Sequence, residues 1–304
     1  MKIRVGFGLS ALALAGWNDR SFFAIVDACE ELGWDSIWFS ERVSSDAPDP
    51  LVAMAAVAGR TRRLKFGPSV MIVPGRNPLL LAKQLATLDL ISKGRLVVAF
   101  GLGVDARAER AIFAVDRTEA AARTDEAVEL MRAAWTHDRV TFHGRFHDVD
   151  DVPVGPRPAQ KPHPDVWFGG TSRPALRRTG RLGDGWLPSF VTVGEYREKA
   201  EVIRKIAADE GRQIDEEHFG ALVPYLPAGT AGEEQVLEFV AKRRAGVDPR
   251  EMVALGGPDA LRARLADFIE QGASKFVVTP VLTPADWRAE LATLRHEVAE
   301  ALEN

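Results

Sequence analysis

Residues 64–101 read LKFGPSVMIVPGRNPLLLAKQLATLDLISKGRLVVAFG and contain one complete strand–helix–strand unit. Residues 64–73 and 96–101 are short apolar runs with β-branched members, the right length for strands and too short for helices. Between them, residues 78–91 place apolar side chains at helical spacing. Asn77 stands just before Pro78, a capping residue followed by the one residue whose missing N–H costs nothing in a first turn. Two strands joined through a helix run parallel, so this unit predicts a parallel sheet covered by helices.

The same alternation extends in both directions. Further strands are predicted at 3–8, 36–40, 165–169, 185–188, 218–226 and 275–281, and helices at 21–32, 118–135, 193–210, 258–271 and 284–302. Ser172 before Pro174 and Thr283 before Pro284 are further cap-and-proline starts. Eight strand–helix units can spread as an open doubly wound sheet or close into the ring of parallel strands known as the TIM (β/α)8 barrel. The count of eight favours the barrel, as one domain over residues 1–304. Two connections are longer than an ordinary loop: 138–164 after strand 4, with a hairpin expected at 140–149, and 227–257 after strand 7. Such insertions serve either as lids and substrate walls or as surface elaborations and dimer contacts.

Composition narrows the function classes. With 46% hydrophobic and 27% charged residues the chain has material for a sizeable core, and disorder is not indicated. A net charge of −4 gives no basic footprint for displacing counterions from nucleic acid. Cys29 is the single cysteine, so no intrachain disulfide can form; its helical setting suits a small buried apolar role, and a reducing cytoplasm is expected. Lys2 and Arg4 precede an apolar stretch at 9–16, but Gly6 and Gly8 interrupt the approach and Trp17-Asn18-Asp19 makes a poor cleavage site, so no secretory signal is expected. No apolar run approaches the length of a membrane span.

Four local patterns carry chemistry. Gly101-Leu102-Gly103-Val104-Asp105-Ala106 fits G-x-G-x-x-A, yet it runs on into a long helix with no acidic residue closing a following strand, so a dinucleotide fold is not expected. What remains is backbone that a ligand can approach closely. Gly169-Gly170-Thr171-Ser172 ends a strand and opens a helix, where free amides and the helix dipole suit a phosphate, with Arg173, Arg177 and Arg178 nearby; an ordinary tight turn is the alternative. Ser40-Glu41-Arg42 closes the second strand, and in a barrel the C-terminal strand ends form the active-site rim. His143 and His147 lack the third ligand that a zinc site needs, so no metal is expected. No G-x-S-x-G elbow anchors hydrolase chemistry.

The ordered series is more specific than any part. The segments 32–42, 61–70, 74–78, 81–89, 92–96, 101–103, 167–170 and 183–186 together resemble the luciferase-like monooxygenase superfamily, most closely its actinobacterial branch that uses the deazaflavin coenzyme F420. The resemblance covers nearly the whole chain to about Trp186 and is looser beyond it. It implies a barrel with the cofactor ring at the C-terminal mouth, a non-prolyl cis peptide at Ser69–Val70 backing the ring, Ser40 and Gly101-Leu102-Gly103 beside it, and Gly169-Gly170-Thr171 holding a phosphate. It implies hydride transfer to or from a small organic substrate in a homodimer; at the end of the second strand, Glu41 is the candidate for proton transfer and Arg42 for polarising or orienting an oxyanion. Arg42 stands where several deazaflavin enzymes place an acid–base histidine, so a sugar-phosphate dehydrogenase mechanism built on that histidine is not expected. FMN-dependent monooxygenases on the same barrel are the first alternative, and a non-catalytic cofactor-binding barrel the second.

Overall fold

The computed structural model describes residues 1–14, 16–104 and 106–303. In chain order the first half comprises β1 (Arg4–Leu9), α1 (Asp19–Glu31), β2 (Ser36–Phe39), α2 (Pro50–Arg60), β3 (Lys65–Ile72), α3 (Pro78–Ser92), β4 (Val98–Gly101), α4 (Arg107–Phe113) and α5 (Arg117–Thr136). A hairpin of β5 (Arg139–His143) and β6 (Asp148–Pro153) follows, and then β7 (Val166–Phe168), α6 (Arg173–Leu182), β8 (Gly185–Trp186) and α7 (Val193–Asp209). The chain continues through β9 (Gly220–Tyr225), α8 (Glu233–Ala241), α9 (Gly257–Glu270), β10 (Lys275–Pro280) and α10 (Trp287–Leu294).

All strands but the hairpin pair are parallel, in the order β8-β7-β4-β3-β2-β1-β10-β9. The ring closes between its two ends. Trp186 bridges Phe219 and Ser189 bridges Leu222, and the Leu222 amide donates to the Pro188 carbonyl at 2.8 Å. The predicted TIM (β/α)8 barrel is therefore present and the open doubly wound sheet is not. Each strand is short and buried on both faces, which is why these segments read as continuous apolar runs rather than as alternating ones. Phe7, Phe39, Phe66, Phe100, Phe168 and Phe276 fill the core with essentially no exposure. Cys29 lies among them in α1, where burial pushes its thiol well above the ordinary range.

Sequence and structure differ at several helix starts. Asn77 caps α3 as expected, its side chain accepting from the amides of Leu79 (3.0 Å) and Leu80 (3.1 Å). Thr283 does not cap the last helix. Its hydroxyl donates instead to the Ala13 carbonyl at 3.0 Å, and the helix starts at Trp287 with Asp286 accepting from the amides of Arg288 and Ala289. Ser172 occupies the cap position of α6 without a side-chain cap bond. The helices α2, α4 and α8 were not among the segments read as helical. Among the described residues, no helix is long and apolar enough to cross a membrane.

The two insertions have different fates. The first packs its hairpin on the outer side of α5: Glu126 accepts from the amides of Arg145, Phe146 and His147, and Lys83 reaches the Gly155 carbonyl at 2.7 Å. It is a surface elaboration. His143 there pairs with Asp148 at 2.6 Å. The second insertion carries α8 over the barrel mouth.

Candidate active site

A cavity of about 650 Å³ opens at the C-terminal rim of the barrel, and all eight barrel strands or the residues just after them contribute to its wall. Its floor is set by Val70. The pairing of β3 with β4 shifts register between Ser69 and Met71, so Val70 is the extra residue of a bulge, and the Ser69–Val70 peptide is cis. Bulges re-aim side chains, and this one brings the Val70 isopropyl group against two glycines. A Cβ on Gly101 would lie 2.4 Å from Val70 Cγ2, and one on Gly169 would lie 3.3 Å from Val70 Cγ1 and from the Leu187 carbonyl. A side chain at 101 would collide with Val70, and one at 169 would crowd it. Ser40 Oγ donates to the Ser69 carbonyl at 3.4 Å, joining the ends of β2 and β3 beside the same seat.

The second glycine turn meets the same wall. Gly170 has φ +93°, a conformation that favours glycine, and its carbonyl accepts from Trp186 Nε1 at 3.0 Å. Among the described residues, the amides of Gly170, Thr171 and Ser172 have no acceptor. Of the three arginines expected nearby, only Arg178 reaches the cavity; it is buried and ion-paired with Asp125, while Arg173 and Arg177 lie exposed outside it. Thr171 is likewise outside the lining, and its carbonyl accepts from Lys199 Nζ at 3.3 Å. The other expected site residues, Ser40, Glu41, Arg42, Ser69, Val70, Gly101, Leu102, Gly103, Gly169 and Gly170, all line the one cavity. Asp105 of the G-x-G-x-x-A stretch lies outside the described residues.

Glu41 is only 1% exposed and both of its oxygens are engaged. Oε2 accepts from the Ile72 amide at 2.6 Å, and Oε1 pairs with Arg76. Burial raises its pKa above the usual carboxylate range, opposed by the Arg76 charge and the Ile72 N–H. Arg42 faces the cavity with Glu109 at 3.8 Å. Glu109, 2% exposed, is held more tightly by Ser44: it accepts from the Ser44 amide at 2.9 Å and from the Ser44 hydroxyl. This ties α4 to the loop after β2 across one side of the mouth.

Four contributors escaped the sequence reading. Arg117 Nη1 donates to the carbonyls of Leu102 (3.1 Å) and Gly103 (3.2 Å), fixing the loop after β4. Thr279 at the end of β10 lines the cavity with a buried hydroxyl that has no partner among the described residues, as does Ser69. Phe239 and Arg243 reach the mouth from the second insertion. Only Arg117 had a local signal, as a basic residue beside an expected helix start.

The glycine-lined seat can be set beside known proteins. The sequence pattern of the luciferase-like monooxygenase family matches residues 18–275. The chain belongs to this family. Among its relatives is the F420-dependent glucose-6-phosphate dehydrogenase of Amycolatopsis mediterranei (strain U-32), 29% identical over 311 aligned residues, covering 90% of this chain and 92% of that one. The FMNH(2)-dependent dimethylsulfone monooxygenase of Pseudomonas putida is 32% identical over 204 residues, covering 66% of this chain and 54% of that one. An F420-dependent secondary alcohol dehydrogenase, solved in complex with an F420-acetone adduct, superposes with a TM-score of 0.83 over 100% of both chains at 17% identity, which shows the shared luciferase-like barrel.

Proposed function

We propose that the protein is a coenzyme F420-dependent oxidoreductase acting on a small organic substrate. The observation that carries the choice of cofactor is recurrence: F420-dependent glucose-6-phosphate dehydrogenases of several organisms align with the chain, two of them over 92% and 83% of their own length, whereas the FMNH(2)-dependent relative aligns over 54% of its own. The cavity suits a planar ring, because Gly101 and Gly169 let Val70 pack closely against the strand ends and add no side chains of their own to the rim. The unpartnered hydroxyls of Ser69 and Thr279 are polar groups available to the ring's edge or to the substrate.

When bound, the deazaflavin supplies the hydride chemistry, and the protein supplies binding and orientation. Val70, Gly101, Leu102, Gly103 and Gly169 form the seat, with Ser40 and Ser69 at its edge. The amides of Gly170, Thr171 and Ser172 are the donors for a phosphate at the start of α6. Glu41 is the proton-transfer group, its raised pKa bringing the neutral acid closer to working pH, and Arg42 orients an oxyanion on the substrate. We further propose that the protein works as a homodimer.

The test is a side-by-side fluorescence titration of the cofactor-free protein with coenzyme F420 and with FMN, followed by a substrate screen with whichever binds. Saturable F420 binding and F420-linked turnover are expected. Preference for FMN with oxygen consumption in its reduced form would replace this reading by a flavin monooxygenase, and binding without turnover over a broad panel would favour a non-catalytic barrel.

A further inference from the structure

Arg243 lies just beyond the end of α8, in the insertion that follows β9, and its guanidinium carbon sits 4.2 Å from the ring centre of Phe239 and 5.8 Å from that of Phe190. Among the described residues it has no carboxylate within ion-pair distance. Its neighbour shows the contrast. Arg244 is clamped by Glu195, donating to both carboxylate oxygens, and also reaches the Phe190 carbonyl at 3.2 Å. The clamp fixes Phe190 and the start of the segment after α8, so Arg243 is presented to the cavity on a firm support while its own charge stays unneutralised.

A second arginine, Arg42, lines the same cavity. The sole carboxylate beside Arg42 among the described residues is Glu109, at 3.8 Å, and that carboxylate already accepts two shorter bonds from Ser44. The remaining cavity carboxylate, Glu41, is taken by Arg76. Arg178 is paired with Asp125, and Arg117 is spent on backbone carbonyls. Two guanidinium groups from separate elements thus face one partly apolar space, Arg42 in a long 3.8 Å pair with Glu109 and Arg243 with no carboxylate within ion-pair distance among the described residues. Both side chains line the one cavity, and burial, with the positive charge of Arg42, lowers the basicity of Arg243 below the usual arginine range. Like charges gathered this way repel each other until an anion joins them, and guanidinium groups favour the oxygens of carboxylate and phosphoryl groups.

We propose that Arg243 and Arg42 form a seat for an anionic group, carboxylate or phosphoryl, carried by the substrate, with Phe190 and Phe239 covering the adjoining apolar part. This rests on the F420 reading above, since it names the class of molecule admitted to the same cavity. It makes Arg243 a specificity-determining residue that selects anionic over neutral substrates.

The test is calorimetric titration of benzoate and of inorganic phosphate into the F420-loaded protein and, in parallel, into the protein without cofactor. Saturable uptake of at least one of the two is expected. Arg243→Gln should weaken that uptake by about tenfold or more, the scale of a lost charge-assisted contact, while Arg243→Lys, which keeps the charge, should lose less. Affinity for F420 should stay within about twofold of wild type in both variants. Absence of anion binding in the wild type, or unchanged binding in Arg243→Gln, overturns the proposal. So does a loss of affinity for F420 that is absent with a tail-less deazaflavin riboside, because that would give Arg243 to the cofactor's own anionic tail. Arg243-dependent anion binding in a wild type that binds no deazaflavin would strike the function proposed above and leave the anion seat standing.

Discussion

Val70 and Gly101 depend closely on each other at the cavity, because the side chain that the β3 bulge turns into the mouth leaves no room for a methyl group opposite it. The ideal Cβ of an alanine at 101 would sit 2.4 Å from Val70 Cγ2, so Val70 must turn or shift into the cavity. Gly101→Ala is therefore expected to lower F420 affinity by about tenfold or more while leaving the fold intact, since crowding in a shaped pocket costs on the order of 1–3 kcal/mol. Fluorescence titration measures it, and unchanged affinity would place the ring elsewhere. Glu41 supports a second prediction. Its pKa is raised, so a base role gives a kcat/KM profile whose acidic limb falls at higher pH than an ordinary carboxylate would set: activity is present above the raised value and is lost as pH falls through it. Glu41→Gln should cost about a hundredfold in kcat and erase that limb. Undiminished turnover would instead assign Glu41 to holding the end of β3, through Ile72 and Arg76, as its two contacts already do.

Between elements, the loop joining α2 to β3 is held by one side chain of α1. Glu30 accepts from the amides of Arg62 (3.0 Å), Arg63 (3.1 Å) and Leu64 (2.8 Å). Burial works to raise its pKa, but the three backbone N–H groups and the Arg63 charge outweigh it and hold the carboxyl below its ordinary value. A depressed carboxylate contributes stability above its unfolded pKa and loses it as pH falls through the folded one. Glu30→Ala should destabilise by about 1–2 kcal/mol near pH 7 and by much less near pH 3, checked by urea unfolding at both. This contact was not legible in the sequence, because it joins residues more than thirty apart through a turn whose shape no local pattern specifies. The eight barrel strands were legible because each is an apolar run bounded by turn residues, and Asn77 before Pro78 announced α3. α2 carried the same sign, Asp49 before Pro50, and escaped because the small and apolar residues of PLVAMAAVAGR offer little polar interleaving to mark a face. Thr283 misled for the opposite reason, a good cap residue whose hydroxyl was drawn to the Ala13 carbonyl by tertiary packing. The site followed the same division. The glycine turns and Ser40–Arg42 sit where strand ends must meet, whereas Phe239 and Arg243 arrive only because the second insertion folds back over the mouth.

For the molecule as a whole, the outer wall offers an unusual exposure of apolar side chains on two neighbouring helices. Val52 on α2 is 69% exposed, and Leu80 and Ile91 on α3 are 62% and 57% exposed. Isolated exposed apolar residues are ordinary, but several on helices that pack together mark a surface for association, and like chains most often associate about a two-fold axis. The proposed homodimer is best placed there. The seat residues Val70, Gly101 and Gly169 all stand at strand ends of one barrel, away from this wall. Sedimentation equilibrium of the wild type should give twice the mass of one chain, and the double variant Val52→Glu, Leu80→Glu should give one. Because the seat is built within one barrel, the separated variant should keep its F420 affinity within about twofold. A wild type that sediments as a single chain removes the dimer from the proposal. A double variant that stays dimeric moves the interface to another face, and one that separates but loses F420 shows that the neighbouring subunit steadies β2 and β3, the strands behind α2 and α3 that carry Ser40–Arg42 and Val70.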